Sequence, residues 1–274
     1  MSRTRQTRSA VAVRTLSYDY PSGHFIRPHA HDRHQLVYAI DGVMTVQTPE
    51  GAWVVPAHRA VWIPSGVVHS IRISGRVSMR TLYLAARIGR SLAGACYVLA
   101  VSPLLRELVL HAVAQGKLDR RVPAEGRLIA VLLDQLAPLA VRRPSALSLP
   151  QPRDARAARV AQALLEQPGD RRSVAALVAG VGASPRTIER RFRAETGLSF
   201  GRWRQQLRLI ESLRLLAAGQ PVTAVALEVG YDSLSAFVSV FRRTFGTTPG
   251  RYFSGLVAAD APVTKRARAG PASG

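Results

Sequence analysis

The feature that most constrains this chain is a pattern written twice between Ser173 and Tyr252. Each copy is a short apolar helix, a glycine break, and a second helix with a serine at its mouth. In the first copy Ser173 caps the short helix, Gly180 and Gly182 interrupt it, and Ser184-Pro185 opens the next. Ser is a favoured N-cap and Pro a favoured first helical residue. In the second copy Thr223 is the expected cap, Gly230 the break and Ser233 the new cap. Phe237, Phe241 and Phe245 then follow at four-residue spacing before Gly246. Gly182 aligns with Gly230, Phe192 with Phe241, Gly197 with Gly246 and Trp203 with Tyr252, one residue being inserted. Between the copies Phe200, Trp203, Leu207, Ile210 and Leu213 recur every three or four residues, the spacing of a helix buried along one stripe. Two helix–turn–helix units on one stiff helix can enter successive major-groove segments, roughly 34 Å apart.

Charge agrees without deciding. A formal +21 favours a polyanionic partner, because each neutralised phosphate releases counterions. A membrane surface or an acidic protein would satisfy it equally. Lys117 and Lys265 are the only lysines, so the arginine excess reads as well as a compositional bias. The repeated unit is what points to DNA. On its first recognition helix Arg186, Glu189 and Arg190 are placed to reach base edges, Arg pairing with guanine and Glu accepting from cytosine. Ser235 and Ser239 take those positions on the second, a smaller and nearly uncharged face. Arg191, Arg193, Arg202, Arg242 and Arg243 are expected on phosphates, where they position without reading sequence.

The run GYDSLSAFVSVFRRTFGTTPGRYF (Gly230 to Phe253), preceded by RTIERRFRAETGLSFGRW (Arg186 to Trp203), resembles the DNA-binding domain of the AraC family of bacterial transcription regulators. Where that family ends in Tyr-Arg this chain has Tyr252-Phe253. The resemblance covers roughly a hundred residues and implies a double-stranded DNA partner, a homodimer, and RNA polymerase as a further partner.

The N-terminal half is written in a different period. From about Thr15 to Leu84 apolar residues alternate between tight turns: Leu36 to Ile40 reads as a strand, Asp41-Gly42 as a hairpin turn, and Val43 to Thr48 as the return strand. Pro49-Glu50-Gly51 turns the chain into Ala52 to Val55. Trp53, Trp62, Tyr38 and Tyr83 are expected in the core. Six of the seven histidines lie here. Gly23, His29-x-His31, Gln35 and Gly42 are spaced like the first motif of the cupin barrel, and Pro64-Ser65-Gly66-x-x-His69 like the second, with His58 where that motif begins with Gly. His29 and His31, two apart on a strand, point to one side. The resemblance implies that they and His69 form an effector or metal pocket, offering three imidazoles to a divalent metal ion, with Gln35 as a neutral oxygen where the family has Glu. Losing that carboxylate weakens binding and argues against redox chemistry. His24 and His34 read as rim residues.

The fold class is therefore α+β in two domains: a cupin-like β-barrel or jelly roll with a helical dimerisation region, then an all-α double helix–turn–helix. The boundaries are a flexible arm at 1–15, the sensor barrel at 16–84, a helical region at 85–141, a proline-marked linker at 142–153, the DNA-binding domain at 154–255 and a disordered tail at 256–274. In the helical region Leu104, Leu105, Leu108, Val109 and Val113 mark one stripe, and Leu128, Val131, Leu132, Leu136 and Leu139 another, each needing a partner. The lone Cys96 excludes a disulfide framework and suits a reducing cytoplasm. No apolar run is long enough for a signal peptide or a membrane span. The expected function is effector-controlled transcription regulation with no catalytic residues and no required cofactor. A metal-dependent cupin enzyme fused to a DNA-binding domain is the alternative, and activation versus repression stays open.

Overall fold

The computed structural model describes residues 11–89, 92, 94–140 and 146–258. The expected arm at residues 1–10, linker residues 141–145 and tail residues 259–274 lie outside the described residues. The first half is one sheet of nine strands: β1 (Val11–Tyr20), β2 (Phe25–His29), β3 (Arg33–Thr48), β4 (Gly51–Pro56), β5 (Arg59–Ile63), β6 (His69–Ala85), β7 (Tyr97–Ala100), β8 (Lys117–Asp119) and β9 (Ser148–Pro150). Its order is β7-β5-β3-β6-β1-β8, with β2 paired to β6 and β4 carrying β9.

The antiparallel ladder of β3 on β6 is the spine, running from Arg33 opposite Ala85 to Gln47 opposite Ser70. Opposed residues share a face, so Gln35, Val37 and Ala39 look inward beside Tyr83, Thr81 and Met79. Val37, Ala39, Met44, Val46, Val55, Val61, Ile63, Ile71, Ile73 and Met79 fill the interior. Tyr38 and Trp62 are fully buried on the outer face, under two helices. Each such side chain contributes about 1.5–3 kcal/mol by leaving water.

Asp41-Gly42 does not make a hairpin. The strand continues through it, and the register shifts on either side of Asp41. Gly42 sits at φ 77°, and a Cβ there would lie 2.0 Å from the Arg76 carbonyl oxygen. It is a bulge that bends a long strand, which is the other use of a lone glycine in a strand. The turn at 49–51 forms as expected, and β4 follows.

The expected segments change in four places. Residues 11–15, assigned to the arm, begin β1, and Arg14 pairs across to Tyr83. The 85–141 region does hold α1 (Pro103–Gln115), α2 (Pro123–Leu136) and a 3₁₀ turn at Ala137–Ala140, but it also returns β7 and β8 to the sheet. Leu105, Val109, Leu132 and Leu136 pack under the sheet, which accounts for most of both stripes. The linker is not free along its length, since β9 adds to β4 with Leu149 opposite Ala52. The tail residues 256–258 end the last helix.

The second half is helical: α3 (Ala155–Glu166), α4 (Val174–Val178), α5 (Pro185–Thr196), α6 (Phe200–Ala217), α7 (Val222–Glu228), α8 (Leu234–Phe245) and α9 (Pro249–Ala258). Asp154, Ser173, Ser184, Ser199 and Ser233 each accept a backbone N–H at a helix mouth, and Gly197 and Gly246 close α5 and α8 in the left-handed conformation. Thr223 is not the cap it was expected to be. The helix starts at Val222 with Pro221, two residues before Thr223, at the cap position, and no side chain caps it.

The two halves are docked. Val43, Ala52 and Val54 of the sheet share one buried cluster with Trp203, Leu209, Leu213 and the rest of the helical core. The Trp203 indole donates to the Pro150 carbonyl at 2.7 Å, and the Gln206 amide donates to the Ser148 carbonyl. Gly75 lets α6 approach so closely that a Cβ there would lie 2.3 Å from the Ala217 carbonyl oxygen.

His58 is the one described residue other than glycine with positive φ, at 61°. Its N–H donates to the Ala39 carbonyl, so the turn is fixed by the sheet. Left-handed backbone costs an ordinary side chain about 1–2 kcal/mol. His58→Gly should therefore raise stability by about 0.5–1 kcal/mol and His58→Val lower it, read from urea midpoints; a lower midpoint for the glycine variant would reject the strain.

Candidate effector site and nucleic-acid interface

Three of the predicted pocket residues meet. β2 ends at His29, paired opposite His69 at the start of β6, while His31 follows in the loop to β3. Pro64-Ser65-Gly66 turns the chain back, and the Gly66 N–H donates to the His31 carbonyl at 2.9 Å. The three candidate ligand nitrogens lie within 4.8 Å of one another. His29 and His69 rings are 4.4 Å apart and His31 and His69 rings 5.2 Å apart. Gln35, 1% exposed, completes the group: its amide is 2.9 Å from His31 Nε2 and donates to the Tyr83 hydroxyl at 3.3 Å. Tyr83, expected in the core, instead stands edge-on to His31 at 5.2 Å and forms part of the site. Sequence reasoning missed that role, although its place opposite Gln35 follows once the register is known. The Thr81 hydroxyl, one residue pair along the same inner face, is buried without a hydrogen-bond partner.

His24 is exposed on the rim, stacked on Tyr20 at 4.7 Å. His34 turns away from the triad: it stacks on Trp62, accepts from the Ser65 N–H at 3.1 Å and reaches the Ala86 carbonyl at 3.3 Å. It holds a loop. Cys96 is buried, and burial pushes its thiol up to about 12, so it offers no thiolate.

The second candidate surface is the recognition face. Arg186 and Arg190 on α5, and Ser235 and Ser239 on α8, are exposed as expected. Glu189 is not a free base reader, because its carboxylate accepts the Phe200 N–H at 3.3 Å, at the mouth of α6. Arg191 is not a free phosphate contact either. It lies 3.4 Å from Asp154 and 3.8 Å from Glu195, tying α5 to α3. Arg193, Arg202, Arg242 and Arg243 are exposed, and among the described residues none of them is in an ion pair. A cleft of about 370 Å³ is lined by Arg202, Gln205, Gln206, Arg243 and Thr244, and a second of about 580 Å³ by Ser235, Ser239, Arg242 and Arg243. Arg243 belongs to both, so the mouth of α6 and the face of α8 form one basic strip.

Behind it, Phe192, Phe200 and Trp203 pack edge to face at 5.2 Å, and Phe237, Phe241, Phe245 and Tyr252 form the matching stack in the second unit. Phe253, at the departure from the family pattern, packs on Tyr252 at 5.3 Å.

Comparison with known proteins follows the same division. A family model described as an AraC-like ligand binding domain matches residues 11–180, and one described as a helix-turn-helix domain matches residues 177–255. The HTH-type transcriptional regulator NimR of Escherichia coli (strain K12) is 34% identical over 228 residues, spanning 83% of this chain and 82% of that protein. The HTH-type transcriptional regulator RipA of Corynebacterium glutamicum is 38% identical over 109 residues, 40% of this chain and 32% of that one. Among solved structures, fatty-acid-bound ToxT from Vibrio cholerae covers 91% of this chain and 96% of its own, at 14% identity and a TM-score of 0.37.

His69 yields a pH test. Burial lowers its pKa from 6.5 to about 4. Between these values the unfolded chain binds the proton and the folded one does not, so stability falls as pH drops from 6.5 towards 4. In chelator-treated protein His69→Gln should flatten the ΔG-against-pH curve across that window, removing up to roughly 2–3 kcal/mol of its rise. An unchanged slope would place the lost stability at another group.

Proposed function

The chain belongs to the AraC family of transcription regulators, with a ligand-binding domain before its helix-turn-helix domain, and from that premise we propose how the two are used. The sensor takes a small molecule or a divalent metal ion against His29, His31, Gln35 and His69, and the docked seam carries the change to the DNA-binding domain. Coupling requires that the effector bind one arrangement of the halves better than the other. β6 supplies the connection, since it starts at His69 and holds Gly75 against α6. Two copies associate through α1 and α2, where Leu104 and Val131 stay 54% and 41% exposed on otherwise buried stripes. RNA polymerase is the further partner in this reading. The relatives are named as regulators, and we read the barrel as a sensor and not as a catalyst.

The observation that carries the DNA-reading role is the continuous basic strip. Arg186 and Arg190 on α5 read bases, Ser235 and Ser239 on α8 read less, and Arg193, Arg202, Arg242 and Arg243 meet phosphates. Selection of random duplexes by the full-length protein should enrich a motif with two blocks about 10 base pairs apart. No enrichment over random competitor would sink the reading. Arg186→Ala and Arg190→Ala should each cost about 1–3 kcal/mol on the preferred duplex and relax its sequence. Arg202→Ala should instead weaken every duplex evenly and reduce the salt slope by about 1.

A further inference from the structure

The two recognition helices share one plan and differ in chemistry. Counted from the capping serines Ser184 and Ser233, Arg186 corresponds to Ser235, Thr187 to Ala236, Glu189 to Val238 and Arg190 to Ser239. Where α5 offers two guanidiniums to base edges, the first two turns of α8 hold no charged side chain. Leu234 is 42% exposed and Ala236 is exposed beside it, while Phe237 and Phe241 anchor the back of the helix. A single exposed leucine is ordinary on a protein surface. This one stands at the N-terminal end of the helix, the end that meets base edges in helix–turn–helix proteins. Its position is fixed from outside, since Arg171 pairs with Asp232 at 2.7 Å and donates to the Tyr231 carbonyl at 3.0 Å. Ser235 is already engaged: its Oγ lies 3.1 Å from Ser233 Oγ, which accepts the Ala236 N–H.

We propose that Leu234 and Ala236 read thymine by its methyl group, so that the second unit selects a thymine-bearing block where the first selects guanine. The inference rests on the domain being a reader of DNA and names what its second unit reads. In the major groove thymine presents a C5 methyl beside an O4 acceptor, whereas cytosine presents an N4 amino donor. An apolar side chain against the methyl takes both out of water, which is worth about fourfold in affinity for each methyl buried. Against cytosine the same side chain leaves the amino group without an acceptor, a loss of about tenfold.

Side-chain size makes the contact reachable. Arginine or glutamate at these positions would hold the helix away from the groove floor. With Ser235, Ala236 and Ser239 outermost, α8 can lie close, and Arg242 and Arg243, exposed in its later turns, are left to the phosphates. Charge then places the helix, and apolar contact reads the base. Ser239 adds little selectivity, because a hydroxyl pairs with donors and acceptors alike. The preferred duplex therefore has a direction, with hydrogen-bonded guanine in one block and a buried methyl in the other.

The test starts from the duplex that full-length protein selects out of random sequence. Its thymines are replaced by uracil one at a time, which deletes the methyl and leaves every hydrogen-bonding group in place. At least one replacement in the block that Arg186→Ala leaves sharp should weaken binding by about fourfold. With cytosine at that position, 5-methylcytosine should regain about the same factor, which a preference for duplex shape alone would not give. At each such thymine either Leu234→Ala or Ala236→Ser should bring the thymine and uracil duplexes within about twofold of each other, while Leu234→Met keeps the parent's discrimination. Melting curves establish that each variant is folded, and the uracil series on the parent stands without them. Uracil tolerated throughout that block, or a methyl effect undiminished in both variants, overturns the inference. Failure to select any duplex takes the DNA-reading role with it, so the two failures are told apart.

Discussion

The β3–β6 ladder is what the rest of the molecule depends on. Both strands are long enough to serve the site and the docking seam together: Gln35 and Tyr83 face each other near one end, and Val43 and Ser74 lie beyond the bulge. A slip of one residue would turn every inward side chain outward. Gln35 and Thr81 would then leave the site, and Val37, Ala39 and Met79 would leave the core, together. The bulge at Gly42 makes the reach geometrically workable, because a straight pair of this length could not bend far enough for β2 to lie on the first half of β6 and β1 on the second. Seam, site and core are three readings of a single register.

The helical half rests on a similar economy of parts. α6 supplies Trp203 to the first unit, Arg208 to the second and Gln206 to the linker strand. Arg204 and Arg208 both donate to the Asp170 carbonyl, and Arg172 pairs with its carboxylate at 2.7 Å, which the neighbouring guanidiniums hold below the usual carboxylate range. These arginines serve the fold. A formal charge of +21 therefore overstates what is available to a polyanion, and part of what remains outward lies on the strip through Arg202, Arg242 and Arg243.

That partition marks the limit of what sequence could disclose. Caps, left-handed glycines and the aromatic repeat were legible because each depends on residues within a few positions of itself. The triad was legible from the spacing of its histidines, although the reason differs from the expectation: His31 lies past the end of β2, and the turn at 64–66, bonded to the His31 carbonyl, brings His69 across. Asp41-Gly42 misled because a hairpin turn and a bulge ask the same of local sequence; only the partner strand decides between them. β9 was hidden for the same reason, since three residues beside prolines become a strand only where β4 offers an open edge. Glu189 and Arg191 lay on the right helix with the right chemistry, but their partners, Phe200, Asp154 and Glu195, are settled by tertiary packing.

What an effector must achieve can be weighed against what this site can deliver. Moving a two-state equilibrium from 1:99 to 99:1 takes about 5.5 kcal/mol of differential affinity. A net hydrogen bond contributes about 0.5–1.5 kcal/mol, so a neutral ligand held by Gln35, Thr81 and Tyr83 alone falls short unless it also buries considerable apolar surface. An ion held by several side chains can be worth about 10–16 kcal/mol when its site is otherwise unformed, and even a fraction of that, expressed in one arrangement only, is enough. His69 and Gly75 are six residues apart on one paired strand, about 20 Å of extended chain. In the proposed reading, a displacement at the triad would have to pass along this strand to reach α6. With a Cβ excluded at Gly75 and the Trp203 and Gln206 bonds made to β9, the seam has little room to absorb such a shift. It either keeps its packing or gives up the contact, and a sensor needs that choice to be steep.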